Sequence, residues 1–252
     1  MPTADLVLAE LEHVYDPEVD EPVTQMGFIR DVEVTGDDVV VHMQLPQYFC
    51  APNFTYLMVD DVRRAAEKVV GPGHVRVNLE GHFEADKINS AMSEGTSFAD
   101  VFSDAVEDLD ALRDRFARKQ FLIRQELVCK EIERNEAFRA REVALTDLSL
   151  GEAIALAPAG KAKYLSTRHE IGLSAEGDQP FLVAADGRPV EADKLRHHRR
   201  SASVMAISFE GNGVMCRTLI NERYPGSAPA SSAPSFLPDI QTDLKQKQGE
   251  VA

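Results

Sequence analysis

At positions 16–29 the chain reads Asp16-Pro17-Glu18-Val19-Asp20-Glu21-Pro22-Val23, then Thr24-Gln25, then Met26-Gly27-Phe28-Ile29. Upstream, apolar residues recur at helical spacing behind the possible capping residue Thr3: Val7, Leu11 and Val14. Proline restricts the residue before it to extended geometry, so Pro17 is expected to end this helix. The stretch therefore predicts an acidic turn at the exit of a first helix, followed by β structure.

Two β-rich segments, 28–34 and 39–45, follow the turn and are joined through Gly36-Asp37-Asp38, which is typical of a hairpin with one buried face. A helix is expected from about Asn53, closed by Gly71-Pro72-Gly73. A strand with Val75, Val77 and Leu79 facing inward comes next. The order helix, hairpin, helix and strand predicts a small α+β domain over residues 1–97, with helices covering one side of a sheet.

Beyond residue 97 the sequence predicts three further parts. Residues 98–144 hold apolar side chains at mostly helical intervals, which predicts a helical connector of one long helix or two broken ones. The runs 163–166, 181–185, 204–209 and 214–220 are typical of short strands, and Gly211-Asn212-Gly213 of a tight turn. We therefore expect a second small β-rich domain at 145–225 and a flexible tail at 226–252.

The net charge of the 252-residue chain is −15 and is unevenly distributed. Residues 1–110 carry 23 acidic and 6 basic side chains, which leaves +2 for the remainder. Such an acidic front half argues against nucleic acid as a partner, because phosphate contacts rely on lysine and arginine. No stretch reaches the roughly 18 to 20 apolar residues of a membrane span. The expected protein is soluble and cytoplasmic, with no membrane partner.

Cys50 is the best candidate for a reactive atom. A thiol just before a helix start lies near unpaired backbone N–H groups, which favour the thiolate that binds metal or attacks sulfur electrophiles. The alternative is a small buried hydrophobic residue, which the neighbouring aromatic residues allow. Cys129 and Cys216 are far away in sequence, so the spacing favours free thiols over disulfides and does not show whether folding brings them together.

The stretch 16–29, the hairpin, Cys50 and the Gly71-Pro72-Gly73 turn before Val75-Arg76-Val77 together resemble the PaaD/SufT family of iron–sulfur assembly domains. The resemblance covers about the first hundred residues. It implies a small α+β domain that helps to mature iron–sulfur enzymes, with Cys50 as the reactive cysteine and Asp16 and Glu18 as the acidic turn. It also implies a transient iron ion or iron–sulfur cluster, and a client metalloenzyme or oxygenase subunit as partner.

Other candidate residues have weaker patterns. His42, His74 and His82 are in the same half as Cys50, but no pair has recognisable metal-ligand spacing. The basic run Arg196-His197-His198-Arg199-Arg200 is typical of a solvated loop, and its arginines can also contact an acidic surface. In the tail, three apolar side chains can dock onto a partner: Phe236, Leu237 and Ile240.

These observations support two functions of different classes and leave a third with little support. The first is an accessory protein for iron–sulfur or other metalloenzyme maturation that acts on a client through Cys50. The second is a non-catalytic structural or regulatory subunit of a multicomponent bacterial di-iron monooxygenase. An independent enzyme is the least supported, because no acid–base or nucleophile–base pair can be assembled from the spacing.

Overall fold

A computed structural model describes residues 2–102, 108–141 and 143–227. The N-terminal part, up to residue 97, contains α1 (Ala4–Leu11), β1 (Ile29–Thr35), β2 (Asp38–Gln44), α2 (Pro52–Val70), β3 (Val75–Glu80) and α3 (Ala85–Glu94). The second part, from residue 98 onward, contains α4 (Phe98–Val101), α5 (Leu109–Arg134), α6 (Glu136–Arg139), a 3-10 turn (Leu145–Asp147), α7 (Leu150–Leu156), α8 (Lys161–Glu170) and α9 (Leu195–Arg223). The α+β class and the predicted helix, hairpin, helix and strand order are confirmed.

The three strands form one sheet in the order β1, β2, β3. β1 and β2 pair antiparallel as a hairpin, whereas β2 and β3 pair parallel with Val41 opposite Val77. The parallel pair requires a crossover connection, which α2 supplies. Alternate residues of β2 face the core and are fully buried: Val39, Val41 and Met43.

The end of the first helix differs slightly from the expectation. Thr3 caps α1 by accepting a hydrogen bond from the Leu6 N–H, as the sequence predicts. The helix ends at Leu11 rather than next to Pro17, although Val14 is still buried. The chain between Leu11 and Pro17 is held by backbone hydrogen bonds with the downstream turn, including one from the Val23 N–H to the Val14 carbonyl oxygen at 2.9 Å.

The β-rich domain predicted for residues 145–225 is wrong. Residues 163–166 lie in α8, and residues 204–209 and 214–220 both lie in α9. Residues 181–185 form no named strand, although Val183 makes an isolated bridge with Pro189. Short runs of apolar and β-branched residues have the sequence pattern of a strand when they are considered in isolation. On α9 the buried positions recur every three or four residues instead, which is helical spacing: Ala202, Ala206, Phe209, Gly213, Arg217 and Ile220.

Gly211 and Gly213 therefore lie inside a helix and not in a turn. A side chain at Gly213 would bring its Cβ to 2.9 Å from a Val19 methyl group and 3.2 Å from a Glu21 carboxylate oxygen. This glycine allows α9 to approach the acidic turn closely.

α9 joins the two parts of the molecule. Ile220 is completely buried in the same hydrophobic core as the sheet residues, while α5, α7 and α8 form a second core around Phe121 and Tyr164. The predicted connector is realised mainly as the single 26-residue helix α5. No helix within the described residues is long and apolar enough to span a membrane.

Candidate functional site

The acidic turn is tightly structured around Asp16. This side chain is buried and accepts a hydrogen bond from the Glu18 N–H at 2.8 Å. Burial raises the pKa of Asp16 to about 7, and the backbone N–H groups of Glu18 and Val19 offset only part of this increase. Burial also raises the pKa of Glu18. The turn therefore holds a carboxyl group that exchanges its proton near neutral pH.

The same turn is tied to the helical part by two ion pairs. Asp20, which has a φ of 60°, pairs with Arg124 of α5. Glu21 accepts a hydrogen bond from Arg217 of α9 at 2.5 Å. Both pairs are largely buried, so the helical part fixes the position of the acidic turn.

Cys50 lies in the loop between β2 and α2, directly before Ala51, the N-cap residue of α2. Its side chain is half-buried and packs against the core of the sheet. Burial raises the pKa of the Cys50 thiol, and the charges of Asp16 and Glu18 raise it further. Burial and the neighbouring carboxylates therefore oppose the thiolate that the helix start was expected to favour.

His82 holds the backbone of the Cys50 loop. This buried side chain places Nε2 at 2.8 Å from the Cys50 carbonyl oxygen, and its Nδ1 accepts a hydrogen bond from the Glu84 N–H at 3.1 Å. An accepting Nδ1 and a donating Nε2 define the neutral imidazole. His82 is thus a positioning residue, a role that its sequence spacing does not reveal.

Cys216 of α9 is the second thiol of the site. Cys50 and Cys216 pack against the same core, and both are partly buried. The pKa of Cys216 is raised to about 12, first by burial and then by electrostatic interactions with Asp16, Cys50 and Glu18. Cys129 lies in the other core and is fully buried. Folding therefore brings two of the three thiols together beside the acidic turn, across 166 residues of sequence.

Cys50, Cys216, Asp16 and Glu18 offer soft sulfur and hard oxygen donors. No group of three or more His, Cys, Asp or Glu side chains is arranged to hold a metal ion among the residues that the structure describes. His42 faces Glu80 instead, with Nδ1 at 3.1 Å from Oε1, and His74 faces Asp38 at 2.9 Å. Full coordination of a metal by the described residues would thus require movement or additional donors.

An exposed aromatic surface, formed by Tyr48, Phe49 and Phe83, lies on the loops around Cys50. These side chains are 54%, 71% and 44% exposed. The Tyr48 ring centroid lies 6.4 Å from that of Phe49 and 6.2 Å from that of Phe83. Exposed aromatic clusters are typical of protein–protein contacts.

Arg223 connects the two loops that carry this surface. Its Nη1 donates to the Leu45 carbonyl oxygen at 3.2 Å, and its Nη2 donates to the Gly81 carbonyl oxygen at 2.7 Å. Its charge also lowers the pKa of Cys50, opposing the larger effect of burial. Neither Arg223 nor Cys216 has a local motif that relates it to Cys50 in the sequence.

The other predicted partner-binding residues lie away from Cys50 or outside the described residues. The basic run begins α9, and Arg199 pairs with Glu126 at 2.7 Å and Glu133 at 2.5 Å on α5. Arg196 and Arg200 are exposed. The tail residues fall beyond residue 227, outside the part that the structure describes: Phe236, Leu237 and Ile240. Their partner-binding role stays a prediction.

An α+β domain with a cysteine loop and an acidic turn matches the arrangement expected of an assembly-type domain. The family model described as iron-sulfur cluster assembly protein matches residues 4–79. An uncharacterized protein of Methanocaldococcus jannaschii is 32% identical over 95 residues, which are 37% of this chain and 98% of that protein. No solved structure matches the chain. The chain belongs to the iron-sulfur cluster assembly protein family, and the predicted resemblance is confirmed.

Proposed function

We propose that this protein is an accessory factor for the maturation of iron–sulfur or other metalloenzymes, and that it acts on a client protein through Cys50. The observation that carries the proposal is the position of the Cys50 sulfur. Cys50 follows Tyr48 and Phe49 of the aromatic surface, which can receive a client, and its thiol interacts electrostatically with Asp16 and Glu18 of the acidic turn. A role in iron–sulfur assembly follows from the family, whereas the action of Cys50 on a client is the proposal.

The cargo is an iron ion or an iron–sulfur cluster that is bound only during transfer. Burial raises the pKa of both thiols, which disfavours their thiolate forms in the free protein. When iron approaches, an S–H bond of Cys50 breaks and an S–Fe bond forms, and the proton passes to the Asp16 carboxylate or to water. A cation beside Asp16 and Glu18 also offsets their charge, which lowers the cost of the thiolate.

Client ligands complete the coordination in this proposal. The described residues offer no group of three metal-binding side chains, so donors from the client would make cargo binding depend on the complex. The aromatic surface supplies apolar contact area at low entropic cost. In this scheme the protein exchanges ligands and does not turn over a small substrate. We place it in the cytoplasm, where thiols remain reduced.

The test is recovery of the full chain from its native cell, followed by measurement of co-purified metalloenzyme, its activity, and bound iron and sulfide. Replacing Cys50→Ser is expected to keep the client bound but to lower its activation and metal content by tenfold or more, on the order of 1.4 kcal/mol. Cys129→Ser is the matched control, since that thiol is fully buried elsewhere. Unchanged client activation by Cys50→Ser would exclude the role of the thiol.

A second function is favoured by the extent of the added structure. The family match ends at residue 79, and α5 and α9 contact the matched region through the pairs of Arg124 with Asp20 and of Arg217 with Glu21. A non-catalytic subunit of a multicomponent bacterial di-iron monooxygenase would use this large surface for binding only. Co-purification with an oxygenase subunit at fixed stoichiometry, together with indifference to Cys50→Ser, would identify this function instead.

A further inference from the structure

α9 carries two apolar faces, of which the fold uses one. The inner face packs against the sheet core through Ile220, and against a smaller cluster with Leu57 and Phe116 through Ala206 and Phe209. A surface helix normally has a single apolar stripe, with polar residues opposite. On α9 the opposite face instead exposes four apolar side chains over three turns: Val204 60%, Ile207 40%, Val214 51% and Met215 49%.

The exposed residues follow a regular pattern that we call the outer stripe. It consists of Val204, Ile207, Gly211, Val214, Met215 and Thr218, all exposed. The steps from Val204 through Ile207, Gly211 and Val214 to Thr218 alternate between three and four residues, which is the spacing of a coiled-coil seam. A Cβ at Gly211 would meet no atom within 4 Å, so the chain itself does not require a glycine here.

We propose that the outer stripe binds the same stripe of a second copy of this chain, antiparallel and centred on Gly211, to form a homodimer. A two-fold interface is self-complementary, since each contact occurs twice. Around Gly211, Ile207 then faces Met215 and Val204 faces Thr218 of the second copy. The absence of a side chain at Gly211 lets the two helices approach at the axis.

The charges at the two ends of the outer stripe favour a second copy of this chain as the partner, in the antiparallel direction. Arg200 and Glu222 are exposed at equal distances in sequence on either side of Gly211. In the antiparallel arrangement Arg200 of one chain meets Glu222 of the other at both ends. A parallel arrangement would put arginine opposite arginine and glutamate opposite glutamate, which is unfavourable. The inference uses residues outside the Cys50 site and does not depend on the proposed function.

The test is sedimentation equilibrium of the full chain over a range of concentrations, with folding checked by circular dichroism. A monomer–dimer equilibrium is expected. Ile207→Asp should raise its dissociation constant by roughly a hundredfold, because a charge would be buried at the seam. Ala155→Asp, on an exposed position of α7, is the control and should leave the dissociation constant unchanged.

Exchanging the charges of Arg200 and Glu222 by substitution distinguishes this register from any other association. Arg200→Glu and Glu222→Arg should each raise the dissociation constant by roughly tenfold at low salt, and the double variant should recover most of the loss. A monomer at every concentration would overturn the proposal, as would equal effects of Ile207→Asp and Ala155→Asp. Failure of the double variant to recover would overturn the antiparallel register. Dimerisation that is lost only when residues 228–252 are deleted would also refute it.

Discussion

Arg223, the last residue of α9, donates a hydrogen bond from Nη2 to the carbonyl oxygen of Gly81 at 2.7 Å. Gly81 precedes His82 and Phe83, so the guanidinium touches the loop that supports both the Cys50 backbone and the aromatic surface. The same group holds the Leu45 carbonyl oxygen at 3.2 Å. A residue far outside the region that the family model matches thus contacts both loops around Cys50.

Replacing Arg223→Ala should loosen these two loops. The loss of two charge-assisted hydrogen bonds is expected to reduce the free energy of unfolding by about 1–3 kcal/mol. Hydrogen exchange of residues 45–50 and 81–84 should accelerate more than exchange elsewhere. Arg196→Ala, at an exposed position of the same helix, is the control. Equal exchange in both variants would show that Arg223 does not hold the loops.

Replacing His82→Ala should expose the thiol of Cys50. The Cys50 carbonyl oxygen loses its partner at 2.8 Å, which is expected to cost about 1–3 kcal/mol of folding free energy. Alkylation of Cys50 by iodoacetamide, located by mass spectrometry, should become faster. His74→Ala removes a histidine that pairs with Asp38 at an exposed position and should change neither quantity appreciably. Slow alkylation in both variants would contradict the positioning role.

The stability of the protein should fall as pH rises toward neutrality because of Asp16. Its pKa is about 7 in the folded chain and about 4 in an unfolded chain, so between these values the folded state binds more protons. The free energy of unfolding then decreases with rising pH, by at most about 1.4 kcal/mol per pH unit.

Urea unfolding of the wild type and of Asp16→Asn between pH 4 and 8 checks this prediction. The asparagine can still accept the Glu18 N–H but carries no charge. Its stability relative to the wild type should therefore increase through the window and level off above about pH 7. Asp37→Asn, in the exposed hairpin turn, is the control. A constant difference between Asp16→Asn and the wild type would refute the raised pKa of Asp16.

Replacing Arg124→Met should destabilise the junction of the two parts. Arg124 pairs with Asp20 and also contacts the Thr167 hydroxyl and the Lys163 carbonyl oxygen on α8. Removing one partner of a buried pair leaves an uncompensated charge, which is expected to cost about 3–5 kcal/mol. The exposed pair of Arg188 and Asp186 supplies the control Arg188→Met, expected to cost at most about 1 kcal/mol.

A double variant, Arg124→Met with Asp20→Asn, separates the buried charge from the lost contacts. It should recover a substantial part of the destabilisation measured by urea unfolding, because Asp20 no longer carries a charge. If the double variant is less stable than Arg124→Met, the ion pair is not the source of the effect.

Residues 4–79 were predictable because local signals and tertiary packing agree there. Thr3 caps α1, the alternation in β2 matches one buried face, and Gly71 ends α2. The second part was not predictable in the same way. On α9 a second apolar face adds residues between the buried ones, so that short windows such as 214–220 resemble strands although the helix continues through two glycines.

The candidate site was only partly predictable for a different reason. Asp16, Glu18 and Cys50 belong to local motifs, and the structure brings them close enough for the charges of both acids to affect the thiol. Cys216 and Arg223 reach the same place only because α9 packs against the acidic turn and the sheet. The pKa of the thiol depends on burial, which no spacing rule supplies and which opposes the predicted thiolate.

The burial of Ile220 means that the family domain of this protein has come to rely on its extension. A fragment that stops soon after residue 97 would lack the side chain that closes the core beneath the sheet. The opening would admit water into this core or require its residues to repack. The matched region and α9 thus share one core, and loss of either is expected to destabilise the other.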